Sequence, residues 1–257
     1  MMSSLLFPNE RALVTGSASS IGRAIAIALA REGAEVVLAD IDPTRNQETL
    51  DTILSGGGKA IALTVDLSKP DGHTKLLAAM GAAPVHMFVH SASPPRHEKD
   101  GVRSVDEATW DAMVNTNQRA AFFLSRELAK RMAAADIPGR ILLLTSLHSE
   151  TPRNLPHYGA AKGGMRMVMM ELARAFGPQG IRVNALAPGA VPGGGAKNIT
   201  DEFKAKIPMR RVGVPDDMAA TAMAILSNHF MPYVTGSTIA VDGGLALYNW
   251  IPFADNS

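Results

Sequence analysis

Short apolar runs alternate with longer helical patterns along the whole chain, and this restricts the fold more than any other feature of the sequence. The runs are Arg11–Thr15, Glu35–Asp40, Ala60–Val65, Val85–His90, Arg140–Thr145, Arg182–Ala187 and Thr238–Val241. Most are nearly continuous in aliphatic residues, as parallel strands covered on both faces must be; a half-exposed strand would alternate apolar with polar. Helical spacing fills the gaps at Ile21–Arg31, Thr44–Leu54, Val105–Met132, Tyr158–Phe176 and Asp216–Leu226. The pattern predicts an α/β fold: a Rossmann-type doubly wound, predominantly parallel seven-stranded sheet with helices on both faces. Gly56–Gly58 reads as a helix-to-strand turn and Gly193–Gly195 as a mobile loop. Neither divides the pattern, so residues 1–257 are expected to form a single domain.

Composition narrows the function classes. With 46% hydrophobic and 19% charged residues the chain can bury a large core, and its net charge of +1 offers no basic footprint for nucleic acid or a membrane surface. Cysteine is absent, which excludes disulfides, a thiolate nucleophile and thiolate metal ligation. The histidines show no spacing typical of metal ligands, and no metal is expected. No run approaches the roughly 18 apolar residues of a membrane span, and Met1–Pro8 is too short for a signal-peptide core. A soluble, cytoplasmic protein is the expectation.

The first run leads through Thr15-Gly16-Ser17-Ala18-Ser19-Ser20-Ile21-Gly22 straight into a helix. A strand, a glycine-rich turn and a helix N-terminus make an anion site, with backbone N–H groups and the positive dipole end facing a pyrophosphate. Gly16 permits the tight turn, and Gly22 lets helix and sheet approach. The second run ends at Asp40, 18 residues beyond Gly22. A carboxylate there accepts bonds from both adenosine ribose hydroxyls and repels a 2′-phosphate, so NAD is expected over NADP. Arg23 and Arg45 could rescue NADP binding but read as solvated helix surface.

Tyr158 and Lys162 lie four apart at the start of a helix and therefore share a face. A phenol titrates near 10, and a neighbouring ammonium draws it toward a working range for proton transfer. The pair follows a strand ending at Thr145-Ser146, at the carboxyl edge where ligands of such sheets bind.

Taken together, these residues resemble the short-chain dehydrogenase/reductase family over essentially the whole chain. Thr15-Gly16…Gly22 is similar to its cofactor signature and Tyr158-Gly-Ala-Ala-Lys162 to its catalytic one. Asp66-Leu67, Ile181–Gly189 and Tyr233–Gly236 with Val241–Gly244 match further stretches. The resemblance implies reversible hydride transfer between a nicotinamide and a secondary alcohol or ketone: a polyol, a sugar or a small ketone. It implies Tyr158 as acid/base, Lys162 on the nicotinamide ribose, Ser146 on the substrate oxygen and Asn117 holding a water in a proton relay. Ser149 and Asn115 are the rivals of the last two. The implied cofactor contacts are Gly16, Ser19, Ser20, Ile21, Gly22, Asp40, Asp66, Leu67, Ser91, Tyr158, Lys162, Pro188, Gly189 and Val191. A homotetramer is implied, with Val105–Met132 and Tyr158–Phe176 packing between subunits and Leu245–Phe253 covering a neighbour's edge.

Two departures stand out. The family's second glycine is Ser20, and its Asn-Asn-Ala-Gly stretch reads His90-Ser91-Ala92-Ser93. His90 is expected to be a hydrogen-bonded core histidine rather than a catalytic or pH-sensing one. His148 and His157 are expected near the pocket. The segment 190–208 falls where the family places its substrate lid, with a helical turn near Asp201–Lys206 and only Phe203 as an aromatic. Two alternatives remain: a 3-oxoacyl-[acyl-carrier-protein] reductase, whose acidic carrier could meet Arg126, Lys130, Arg131 and Arg174, and a silent dinucleotide-binding protein.

Overall fold

The computed structural model describes residues 5–97, 99–193 and 199–247. The strands are β1 (Arg11–Thr15), β2 (Glu35–Asp40), β3 (Lys59–Thr64), β4 (Met87–His90), β5 (Arg140–Leu144), β6 (Arg182–Pro188) and β7 (Thr238–Val241). They form one sheet in the order β3-β2-β1-β4-β5-β6-β7, and every pairing is parallel. This is a Rossmann-type, doubly wound sheet.

Alternate residues of each strand enter opposite cores. Leu13 of β1 joins Leu124, Leu128, Met165 and Met169 on one face, while Ala12 and Val14 join Ile25, Leu29, Met218 and Ile225 on the other. The first face is covered by α3 (Gly72–Ala79), α5 (Ala120–Ala134) and α6 (Pro156–Phe176), the second by α1 (Ser20–Arg31), α2 (Pro43–Ser55) and α8 (Pro215–Leu226). Met165 and Met169 are therefore core packing, while Met167 on the opposite side of α6 is exposed.

One expectation is corrected. Val105–Met132 is not a continuous helix: α4 (Glu107–Val114) gives way to a π-helical turn, Asn115–Arg119, before α5 begins. The Asp106 side chain accepts from Thr109 N at 2.7 Å and fixes the start of α4. The three residues Asn115, Thr116 and Asn117 favour a break, since Asn and Thr bond locally and propagate a helix poorly. Helix α3 shows little amphipathic patterning and no strong cap, and the sequence does not announce it. The short α7 (Asp201–Ala205) falls within the expected lid turn.

Strand order reverses between β1 and β4, whose last residues, Thr15 and His90, are register partners. Crevices at such a reversal, outside the carboxyl ends of the strands, are where open α/β sheets bind ligands.

Candidate active site

Beyond Thr15 the chain turns sharply. Gly16 has φ +72°, and a Cβ there would lie 2.6 Å from the backbone N of Ala92. A Cβ on Gly22 would collide with the carbonyl oxygen of Gly16. The turn and the His90–Ser93 stretch are thus in backbone contact, and Ser91 N donates to Thr15 O at 3.1 Å. Ser20 keeps the backbone shape of a glycine, with φ +48°, at a cost on the order of 1 kcal/mol. Ser19 precedes α1 in extended conformation and its side chain makes no capping bond. With Ile21, these residues bring the first-turn amides of α1 to the crevice.

Asp40 closes the turn from the other side. Its Oδ2 accepts from Ala18 N at 2.9 Å and its Oδ1 from Asp42 N at 3.0 Å. Each carboxylate oxygen has a second lone-pair site, so bracing the loop and receiving a ribose are compatible. Asp66 accepts from Ser68 N and Oγ, and the hydroxyl chiefly holds it below the usual carboxylate range. Leu67 beside it is buried.

Opposite this cradle, α6 starts at Pro156 and carries Tyr158 and Lys162, both buried, on one face. Met113, Leu155, Tyr158 and Ala161 form a small cluster that seats α6 on α4. Lys162 Nζ lies 5.6 Å from the Tyr158 ring centroid and donates to Leu144 O at 2.6 Å. Burial, and then the charge of Arg96, pull Lys162 down to about 7. Ser146 is buried at the end of β5, its Oγ accepting from His148 N at 3.2 Å, whereas Ser149 turns its hydroxyl back onto Ser146 O at 2.7 Å. Asn117 is fully buried in the π-turn. Its Nδ2 donates to Met113 O at 3.0 Å, and its Oδ1 has no partner among the described residues.

His90 links the two halves. Its Nε2 lies 3.0 Å from the Thr116 carbonyl, which can only accept, so Nε2 carries the proton and Nδ1 accepts from Thr15 Oγ1 at 2.9 Å. Complete burial, and then the charge of Lys162, push its pKa down to about 3. A neutral, doubly bonded core histidine stands where the family has asparagine. His157 is fully buried with neither ring nitrogen bonded among the described residues, while His148 packs edge-on to Tyr158 at 6.1 Å.

Pro188 ends β6. Gly189 N donates to Val241 O at 3.0 Å, and a Cβ on Gly189 would lie 2.7 Å from Asp242 Cα. Val191 is buried, and a Cβ on Gly193 would lie 3.2 Å from Ser20 Oγ. Gly194 and Gly195 of the lid, and Tyr248, Trp250 and Phe253 of the C-terminal segment, lie outside the described residues. Among the described residues no group of three acidic or histidine side chains could hold a metal ion, and no helix is long and apolar enough to cross a membrane. One residue of the site escaped the sequence reading: Arg96, whose guanidinium carbon lies 4.5 Å from the Tyr158 ring centroid. The Pro94-Pro95 step after the altered stretch was the available signal.

A family model described as enoyl-(acyl carrier protein) reductase matches residues 16–246. Glucose 1-dehydrogenase 2 of Bacillus subtilis is 33% identical over 93% of this chain and 95% of its own. The chain belongs to the short-chain dehydrogenase/reductase family. It is an oxidoreductase accordingly. Within the family, 3beta-hydroxysteroid dehydrogenase 1 of Eggerthella lenta is 34% identical over 94% of this chain and 95% of its own. The crystal structure of a 3-oxoacyl (acyl-carrier-protein) reductase from Agrobacterium tumefaciens with NADP bound superposes with a TM-score of 0.86. It is 27% identical and covers 95% of this chain and 97% of that one. These short-chain dehydrogenase/reductase relatives carry names for a sugar, a steroid and an acyl thioester, so kinship alone does not select a substrate.

Proposed function

We propose that this chain is a single-domain, NAD-preferring dehydrogenase that interconverts a secondary alcohol, of the polyol, sugar or small-ketone class, and its carbonyl form. The observation that supports this reading is the link from Lys162, which donates to Leu144 at the end of β5 and whose charge acts on His90, to Thr15 at the start of the glycine turn, which His90 bonds. The turn suits a dinucleotide: Gly16 and Gly22 let its backbone pack where a Cβ would meet Ala92 or the Gly16 carbonyl, and the first turn of α1 is uncapped by any side chain. Gly16, Ser19, Ser20, Ile21 and Gly22 would hold the pyrophosphate, Asp40 the adenosine ribose, Asp66 and Leu67 the adenine. Ser91, Pro188, Gly189 and Val191 would line the nicotinamide half.

When bound, the nicotinamide accepts or returns the hydride. Tyr158 takes the hydroxyl proton as the C–O bond becomes a carbonyl, and returns it in the reverse direction. Ser146 donates to the substrate oxygen, an oxyanion-type contribution. Lys162 binds the nicotinamide ribose, and as an ammonium favours negative charge on the phenol oxygen. Asn117 holds a water that hands protons from solvent to Lys162. The unbonded Oδ1 of Asn117 fits such a water.

Asp40 faces a 2′-phosphate with like charge. The arginines that could offset it are otherwise engaged: Arg23 with Thr52 and Glu48, Arg45 with Asp42. For the carrier-protein alternative, Arg126 and Lys130 are spent on Glu127 and Arg131 on the Gly81 carbonyl. Residues 190–208 would close over the substrate. Arg126 over Phe122 and Phe123, and exposed Met167, suit a homotetramer, which a solution mass checks. A cytoplasmic location, suited to a cysteine-free chain, is checked by fractionation. The decisive experiment follows nicotinamide reduction across a panel of alcohols with each dinucleotide. Tyr158→Phe is expected to lower turnover at least ~10²-fold, and near-full activity of that variant refutes the role given to Tyr158.

A further inference from the structure

The inner face of α2 holds two polar side chains that the hydride chemistry above does not use. Asn46 and Thr49 line up there with Ile53, and both are shut off from solvent. A buried amide or hydroxyl is costly unless it is bonded, whereas an aliphatic residue at either place would need no partner. The bonds of Asn46 and Thr49 therefore show what the two side chains do.

Asn46 Nδ2 lies 3.2 Å from Leu63 O and 3.4 Å from Leu38 O. Carbonyls only accept, so the amide nitrogen faces β2 and β3 and the amide oxygen faces away from them. There Oδ1 accepts from Ser17 Oγ at 2.7 Å, and Ser17 is itself fully buried. Thr49 Oγ1 stands 3.0 Å from Ser17 O and 3.2 Å from Arg45 O, so its proton is shared between the glycine turn and its own helix. Asp40 takes the next amide, Ala18 N, at 2.9 Å. The Ser17–Ala18 step is thus held at a hydroxyl, a carbonyl and an amide, and each holder belongs to β2 or α2. Ser19, the residue that follows, adds no side-chain cap.

We infer that Asn46 and Thr49 are positioning residues for the dinucleotide: from α2 they hold Ser17–Ala18, and with it the amides at the start of α1, in place for a pyrophosphate. This rests on the dinucleotide reading above and adds to it two residues that bind through others. Donors that are already fixed lose no freedom when the ligand arrives, so the gain appears as affinity. The strap ends on the turn and not on the adenosine side. Neither Asn46 nor Thr49 bonds Asp40, Asp66 or Leu67 among the described residues.

The test measures binding to the whole chain and needs no turnover. ADP-ribose carries the pyrophosphate and adenosine does not. Affinity for ADP-ribose is expected to fall at least tenfold in Asn46→Leu and at least fivefold in Thr49→Val, with adenosine affinity held within twofold in both. Thr49→Val keeps the branched shape and carries the test should Asn46→Leu fail to fold. Thr49→Ser, which restores the hydroxyl, should recover most of the loss, and Gln47→Ala on the exposed side of α2 should change neither ligand. Unchanged ADP-ribose binding in Thr49→Val overturns the inference. Equal losses of both ligands also overturn it, and make the two residues general support for β2 and β3. Either result leaves the dinucleotide reading standing as long as the unaltered chain binds NAD. An unaltered chain that binds neither NAD nor ADP-ribose overturns both.

Discussion

The two sides of the crevice are built by different means. On the dinucleotide side, backbone meets backbone: the Gly16 turn touches Ala92, Gly22 touches Gly16, and Asp40 ties down Ala18 and Asp42. On the substrate side, loops present charged and aromatic side chains to one another, as Arg96 and His148 do around Tyr158. The first side is specified by what cannot fit, and tolerates almost no added volume. The second is specified by where charge lies, and side-chain exchange can retune it. Ligand class should accordingly be fixed on one side and adjustable on the other.

Substitutions can break this contrast. The largest effect is expected for Gly22→Ala, whose methyl collides with backbone that has nowhere to go. We expect a loss on the order of 3 kcal/mol and no thermal shift with NAD; ordinary NAD binding by that variant would show the turn to be more yielding than its geometry. Next comes His90→Ala, which strands the Thr116 carbonyl and should lower unfolding stability by about 2 kcal/mol, with His90→Asn recovering part of it. His90 also predicts a pH dependence. Its folded pKa of about 3 lies below the ordinary 6.5, so between these values the unfolded chain binds the proton that the fold refuses. Stability should fall as pH drops below 6.5 and stay level above it for this group; His90→Asn should flatten the slope in denaturant titrations.

Smaller effects sharpen the comparison. Asp40→Asn keeps an acceptor for one of the two loop amides and removes the charge, and should move the NADP-to-NAD ratio of catalytic efficiencies at least tenfold toward NADP. An unchanged ratio would place the discrimination elsewhere. Ser20→Gly relieves a positive φ and should raise stability by roughly 1 kcal/mol or less, measured by thermal unfolding. A loss would mean that the Ser20 hydroxyl makes a contact worth more than the strain.

The difference between the sides also explains what was legible in the sequence. The parallel sheet and the phosphate turn follow from period and from small residues at fixed offsets, because Gly16 and Gly22 are dictated locally. Tyr158 and Lys162 were legible because one helical turn joins them. Arg96 was not, since it meets Tyr158 at a sequence separation of 62 (158 − 96), and only the folded loop brings them together. His90 was legible as a departure, but its partners Thr15 and Thr116 come from other segments. The π-turn was hidden because a widened turn leaves the surrounding apolar spacing nearly intact.

That widened turn has a consequence for how the chain could have changed over time. A π-turn accommodates one extra residue within an otherwise regular helix. Deleting the extra residue from Asn115–Arg119 would let α4 and α5 merge into one regular helix, and would leave α5 in its present phase about the axis. Leu124, Leu128 and Met132 would keep facing the core. Shortening the segment would thus change the backbone around Asn117 while leaving the packing of α5 in place.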